Sequence, residues 1–142
     1  MNQNVQLLTQ IYEGSQMGID AITTLANKTK DSILKTDLDV LADEHRQMAS
    51  TANQELIRYG GNPTSLGMFT KVQLWTSTQM NTLTNQSPDH LASMLVDGHT
   101  MAIKDMTKAI HDYTDADKNV VQLAQQYIDL QQKHIEKMKT YL

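Results

Sequence analysis

The feature that most constrains this chain is an internal repeat. Glu13-Gly14-Ser15-Gln16-Met17-Gly18-Ile19 aligns with Asp97-Gly98-His99-Thr100-Met101-Ala102-Ile103, acid on acid, glycine on glycine and methionine on methionine. After each motif comes a polar break, then an apolar-periodic segment holding a Leu-Ala pair, Leu41-Ala42 in the first half and Leu123-Ala124 in the second. Such a repeat predicts two related antiparallel helical hairpins about a pseudo-twofold axis. A chain of 142 residues can bury one sizeable core but not two of ordinary size, so the hairpins are expected to share it as one domain over residues 1–142.

Periodicity supports this reading along the chain. Val5, Leu8, Ile11, Tyr12, Ser15, Ile19, Ile22 and Ala26 share one face at 100° per residue, predicting a first helix from about Gln3 to Asn27. Asn27 to Ser32 is rich in capping residues, and a second face follows with Leu34, Leu38, Leu41, His45, Met48, Ala52, Leu56 and Tyr59. Gly60-Gly61-Asn62-Pro63 ends that helix, completing a hairpin over 3–59. Thr64–Gln86 carries Met68, Val72, Trp75 and Leu83 at roughly helical spacing and is expected to be a helical crossover, since about 20 residues at 1.5 Å each reach some 30 Å. Ser87-Pro88-Asp89 is a helix start, with Ser as N-cap and Pro in the first turn. The third helix turns Leu95, His99, Ala102, Met106, Ala109 and Tyr113 inward, and Thr114-Asp115-Ala116-Asp117 is expected to cap the fourth in the manner of a capping box. There Val121, Ala124, Ile128, Gln131, Ile135, Met138 and Leu142 form the expected core face, with Val120, Tyr127, His134 and Tyr141 beside it, so that the second hairpin spans 88–142. The fold class is all-α, a four-helix bundle with one long connection.

Composition removes several function classes. With a net charge of −4 and no basic cluster, nucleic-acid binding lacks its electrostatic term. The absence of cysteine excludes disulfides and thiolate metal sites. No apolar run approaches the roughly 18–20 residues of a spanning helix, and the polar start Met1-Asn2-Gln3-Asn4 has no signal-peptide pattern, so no membrane span and a cytoplasmic location are expected.

The informative residues are polar ones on the apolar faces, one near the middle of each main helix: Ser15, His45, His99 and Gln131. Ser15 and His45 lie about 15 residues either side of the first turn, and His99 and Gln131 about 16 either side of the second, so all four are expected in one mid-bundle layer. Tyr12 and Tyr127 fall within a turn of it, whereas Glu13 and Glu44 are expected off the core faces. A polar layer can satisfy itself and fix helix register, hold a transition metal on His45 and His99, line a ligand crevice, or do acid–base chemistry. Gln131-Gln132-Lys133-His134 has the spacing of a Glu-x-x-His ligand pair with Gln in place of Glu. His90 and His111, near helix ends, are expected to be solvated. No nucleophile or oxyanion donors accompany the histidines, so a catalytic assignment has nothing to rest on.

With Leu41-Ala42-Asp43-Glu44-His45 in the second helix and Tyr59-Gly60-Gly61-Asn62-Pro63 at its end, the chain resembles the ferritin-like superfamily, more narrowly its small bacterial members, over nearly its whole length. Metal-binding members use a Glu on the first and third helices and Glu-x-x-His on the second and fourth. Here Glu13 and Asp97 are the nearest acids, and His45-Arg46-Gln47-Met48 and Gln131-Gln132-Lys133-His134 stand where those motifs would be. The resemblance implies a ferritin-like fold; because no complete catalytic constellation can be assembled, a non-catalytic structural or interaction role, with a homodimer as its form, is the first expectation. The alternative is a metal-binding bundle with an altered site on His45 and His99, assisted by Glu44, Gln131 or His134 and taking Fe, Mn or Zn.

Overall fold

The computed structural model describes residues 2–62 and 83–142, which are all-helical and contain four helices and no strand. These are α1 (Gln3–Lys28), α2 (Ser32–Arg58), α3 (Pro88–Asp112) and α4 (Lys118–Lys139). α1 pairs with α2 and α3 with α4, and α1 also touches both helices of the second hairpin. None of the described helices is long and apolar enough to cross a membrane. Most of the expected crossover at 64–86, including Trp75, lies outside the described residues. Leu83 to Gln86 are described and are not helical.

Local chemistry explains where the helices begin and end. Asn2 caps α1 by accepting the Asn4 amide at 2.8 Å, and Asp31 caps α2 by accepting the Leu34 amide at 2.9 Å. At the end of α2, Gly60 adopts φ +82, its amide donates to the Ile57 carbonyl at 3.0 Å, and the Gly61 amide donates to the Leu56 carbonyl at 2.8 Å. This is a Schellman closure, and the left-handed residue in it is the expected glycine. Two expected caps are corrected. Ser87 and Asp117 stand at the N-cap positions of α3 and α4, but neither side chain caps its helix. The Asp117 carboxylate instead accepts the Tyr59 hydroxyl at 2.9 Å, and its amide donates to Asn4 Oδ1 at 2.6 Å, so it ties the second hairpin's turn to the open end of the first.

The core is split in two. One apolar cluster gathers Leu7, Leu8 and Ile11 with Ala52, Leu56, Met106, Val120 and Tyr127. The other gathers Ile22, Leu25, Leu34, Leu38 and Leu41 with Leu91, Leu95 and Met138. On every helix the boundary between the clusters falls where the buried residues turn polar: Ser15 on α1, His45 on α2, His99 on α3, and Gln131 with His134 on α4.

On α4 the expected Ala124, Gln131, Ile135 and Met138 are buried, but the face is shifted toward residues expected beside it. Val120, Tyr127 and His134 are almost wholly buried, whereas Val121 and Ile128 are half-buried and Leu142 is exposed. Paired helices follow a seam with a period near seven residues, which a wheel drawn at 3.6 residues per turn drifts away from. His134 therefore points straight into the core.

Gly60→Ala forces a Cβ into the left-handed region and should lower stability by about 1–2 kcal/mol. Urea unfolding of the variant checks this, and an unchanged midpoint would refute the closure as described.

Candidate metal centre

The boundary layer is a cluster of three imidazoles around one amide. α2, α3 and α4 each deliver one histidine, His45, His99 and His134, none more than 5% exposed. Their ring centroids lie 5.7 Å apart for His45 and His99, 4.7 Å for His45 and His134, and 5.3 Å for His99 and His134. One ligating nitrogen from each ring falls within 4.8 Å of the others.

The hydrogen bonds fix the tautomers of two rings. A carbonyl oxygen can only accept, so His45 Nδ1, 3.0 Å from the Leu41 carbonyl, carries the proton. Its Nε2 is then a lone pair, which accepts from Gln131 Nε2 at 3.1 Å. His99 Nδ1 donates to Gln131 Oε1 at 2.7 Å, which leaves His99 Nε2 as a second lone pair. That atom is buried and has no hydrogen-bond partner among the described residues, and the same holds for both ring nitrogens of His134. Glu44 Oε1 stands 3.6 Å from His134 Nε2, too far for a hydrogen bond but on the side from which a carboxylate orients an imidazole. The same carboxylate is held by Lys133 at 2.7 Å.

Electrostatics keep the rings neutral. Burial, reinforced by His45, His99 and Lys133, holds the His134 pKa down to about 2. Burial likewise lowers His99 to about 4, against the pull of its bond to Gln131 and with a further push from His45. His45 is lowered by burial, against the opposing effects of Leu41, Gln131 and Glu44.

α1 contributes space instead of ligands. Ser15 is fully buried but donates its hydroxyl to the Ile11 carbonyl at 2.7 Å, back into its own helix. A Cβ on Gly18 would sit 2.6 Å from His45 Nε2, and one on Gly14 would sit 2.5 Å from the Tyr127 hydroxyl, so both rings pack directly on the α1 backbone. The glycines of the repeated motif thus make room for this layer. Between α1 and α3 a cavity of about 790 Å³ reaches the layer at His99 and Gln131.

Of the expected site residues, His45, His99 and Gln131 meet in the layer, and His134 joins them as a full member. Ser15 shares their burial without bonding to them. Glu13 and Glu44 correct the expectation that both lie off the core faces. Glu13 is buried and lines the cavity, and Glu44 is half-buried with its carboxylate reaching toward His134. Asp97 and His111 are exposed and His90 is half-buried. Comparison with family models, with curated proteins and with solved structures finds no match.

A histidine with a depressed folded pKa stays neutral in the native state while the unfolded chain takes up a proton near pH 6.5. The unfolded state therefore binds more protons below that pH. Stability is fully present above about pH 6.5 and is lost as the pH falls toward 4, by up to about 1.4 kcal/mol per pH unit for each ring. Urea unfolding between pH 7.5 and 4.5 should show this fall, and His134→Leu should reduce its slope by about one proton. A flat profile across that window would contradict buried neutral rings.

Proposed function

We propose that this protein binds one transition-metal ion in its core, on His45, His99 and His134. The observation that carries the reading is the set of three buried ring nitrogens, one on His99 and two on His134, without a hydrogen-bond partner among the described residues. A layer serving only to fix helix register gains by satisfying its members, since each unpaired polar atom costs about 1–3 kcal/mol. The unpartnered nitrogens belong to His99 on α3 and His134 on α4, and with the His45 Nε2 lone pair, which the Gln131 amide holds, they bring one lone pair from each of three helices to one place, as a cation requires. This favours metal binding over the structural or interaction role that the incomplete catalytic set leads one to expect.

The residues fit one ion. Imidazoles ligating a tetrahedral ion at 2.0–2.1 Å have ring centroids about 5 Å apart, and the three separations here are 4.7, 5.3 and 5.7 Å. Three atoms within 4.8 Å of one another share a point within about 2.8 Å of each, so each ring needs to close by about 0.7 Å to reach ligand distance. Each ligand also has a partner available to its second nitrogen, as such ligands generally do: the Leu41 carbonyl for His45, Gln131 Oε1 for His99 and the Glu44 carboxylate for His134. The depressed pKa values leave the lone pairs free of protons at neutral pH.

The two-metal carboxylate set of ferritin-like proteins fits poorly. Gln131 replaces the acid of the fourth-helix motif, Asp97 is exposed, and among the described residues the group that can hold a metal consists of three histidines. A ferritin-like bundle whose site has become a mononuclear tris-imidazole centre accommodates both the helical arrangement and this donor set. Such donors suit zinc and its borderline neighbours cobalt, nickel and copper better than manganese. When bound, the ion would supply a Lewis-acidic centre in an otherwise apolar core.

Thermal melts of metal-stripped, untagged protein with and without Zn²⁺ test the proposal. At free metal one hundredfold above Kd the gain is about 2.7 kcal/mol, or roughly 8 °C at this chain length. His134→Leu and His99→Leu should each abolish the gain. No zinc-, cobalt- or nickel-dependent rise in the wild type would sink the proposal.

A further inference from the structure

We infer that the metal centre is open: a fourth ligand position faces α1 and exchanges a small monoanion through the α1–α3 cavity. This rests on the tris-histidine reading above. α2, α3 and α4 supply one imidazole each, and α1 supplies none. At the height of the layer α1 presents Gly18, with no side chain at all, and Ser15, whose hydroxyl is turned to Ile11. Three donors leave a tetrahedral ion one position short, which is the composition of sites that exchange ligands and not of closed structural ones.

The cavity gives that position a route. It runs between α1 and α3, has a volume of about 790 Å³, and is bordered by Gly18, His99 and Gln131. Gly18 borders the cavity while lying directly against the His45 ring edge that carries the Nε2 lone pair. His134 lies on the far side of the cluster, next to Glu44, and does not border the cavity. Of the three rings only His99 borders the cavity, so the open side is that of His99 and Gln131, with His45 lying behind Gly18. Gln131 is the adaptable element there. Its amide donates to His45 Nε2 and accepts from His99 Nδ1, so an ion on His45 displaces the first bond and leaves the second. The freed amide N–H is then available to a ligand in the fourth position. One turn before it on α4, the Tyr127 phenol faces the same cavity and is kept protonated by burial, a second donor on the same wall. Three neutral imidazoles leave a divalent ion its full charge, so the ligand that gains most is an anion, and its size is limited by the packing of Gly14 and Gly18 against the rings.

The test uses the full chain loaded with Co²⁺, whose visible spectrum reports coordination, titrated with sodium azide against sodium chloride at equal ionic strength. The expected result is one cobalt per chain with intense tetrahedral bands, shifted saturably by millimolar azide. Ala102→Trp, which fills the cavity one turn from His99 and replaces no ligand, should retain cobalt and weaken azide binding at least tenfold. Its melting curve establishes that it is folded, and the wild-type titration decides the question if it is not. Cobalt binding with a spectrum insensitive to 100 mM azide would overturn the open position and leave the metal site standing. Failure to bind cobalt would overturn both. An azide affinity unchanged in folded Ala102→Trp would overturn the route through the cavity.

Discussion

Three imidazoles packed between two apolar clusters must find partners for six ring nitrogens without help from bulk water, and three of those nitrogens have none among the described residues. The rest of the structure is arranged around that constraint. The hairpins bring one histidine from each of three helices to a common height. Leu41, Gln131 and Glu44 surround them with acceptors, and burial keeps them unprotonated. A leucine layer would pack the same space more cheaply. Lone pairs left over after every local hydrogen bond has been made are the feature that purely structural packing does not account for.

The backbone of α1 is as much a part of this arrangement as the histidines. His45 and Tyr127 occupy volume that any side chain at Gly18 or Gly14 would claim. The repeated motif therefore has a physical meaning in the first hairpin. It is a mid-helix segment whose glycines let rings from α2 and α4 reach the helix axis, and whose buried serine satisfies itself on its own backbone. Its counterpart in the second hairpin keeps the position and changes the chemistry, with His99 where the first copy has Ser15.

Much of this was legible in the sequence, for identifiable reasons. The hairpins, the glycine closure at Gly60 and the shared height of His45, His99 and Gln131 follow from periodicity, turn chemistry and counting residues from a turn. His134 was placed beside the core because a straight-helix wheel misses the seven-residue seam of Val120, Tyr127 and His134. Glu44 is expected off the core face because a wheel positions Cα atoms, whereas a glutamate side chain reaches around the helix toward a neighbour. The capping-box reading of Thr114 to Asp117 fails because the Asp117 carboxylate bonds Tyr59, a partner 58 residues distant that no local pattern shows. The orphaned nitrogens could not be read at all, since they emerge only once every hydrogen bond around them is known.

The claim on which the account turns is that one ion sits among these three rings. Anomalous diffraction from zinc-soaked crystals, recorded on both sides of the zinc edge, measures that directly. The account predicts a single strong core peak with nitrogens of His45, His99 and His134 at about 2.0–2.1 Å. Zinc found only on surface carboxylates, with the three rings bonded to ordered water instead, would contradict it.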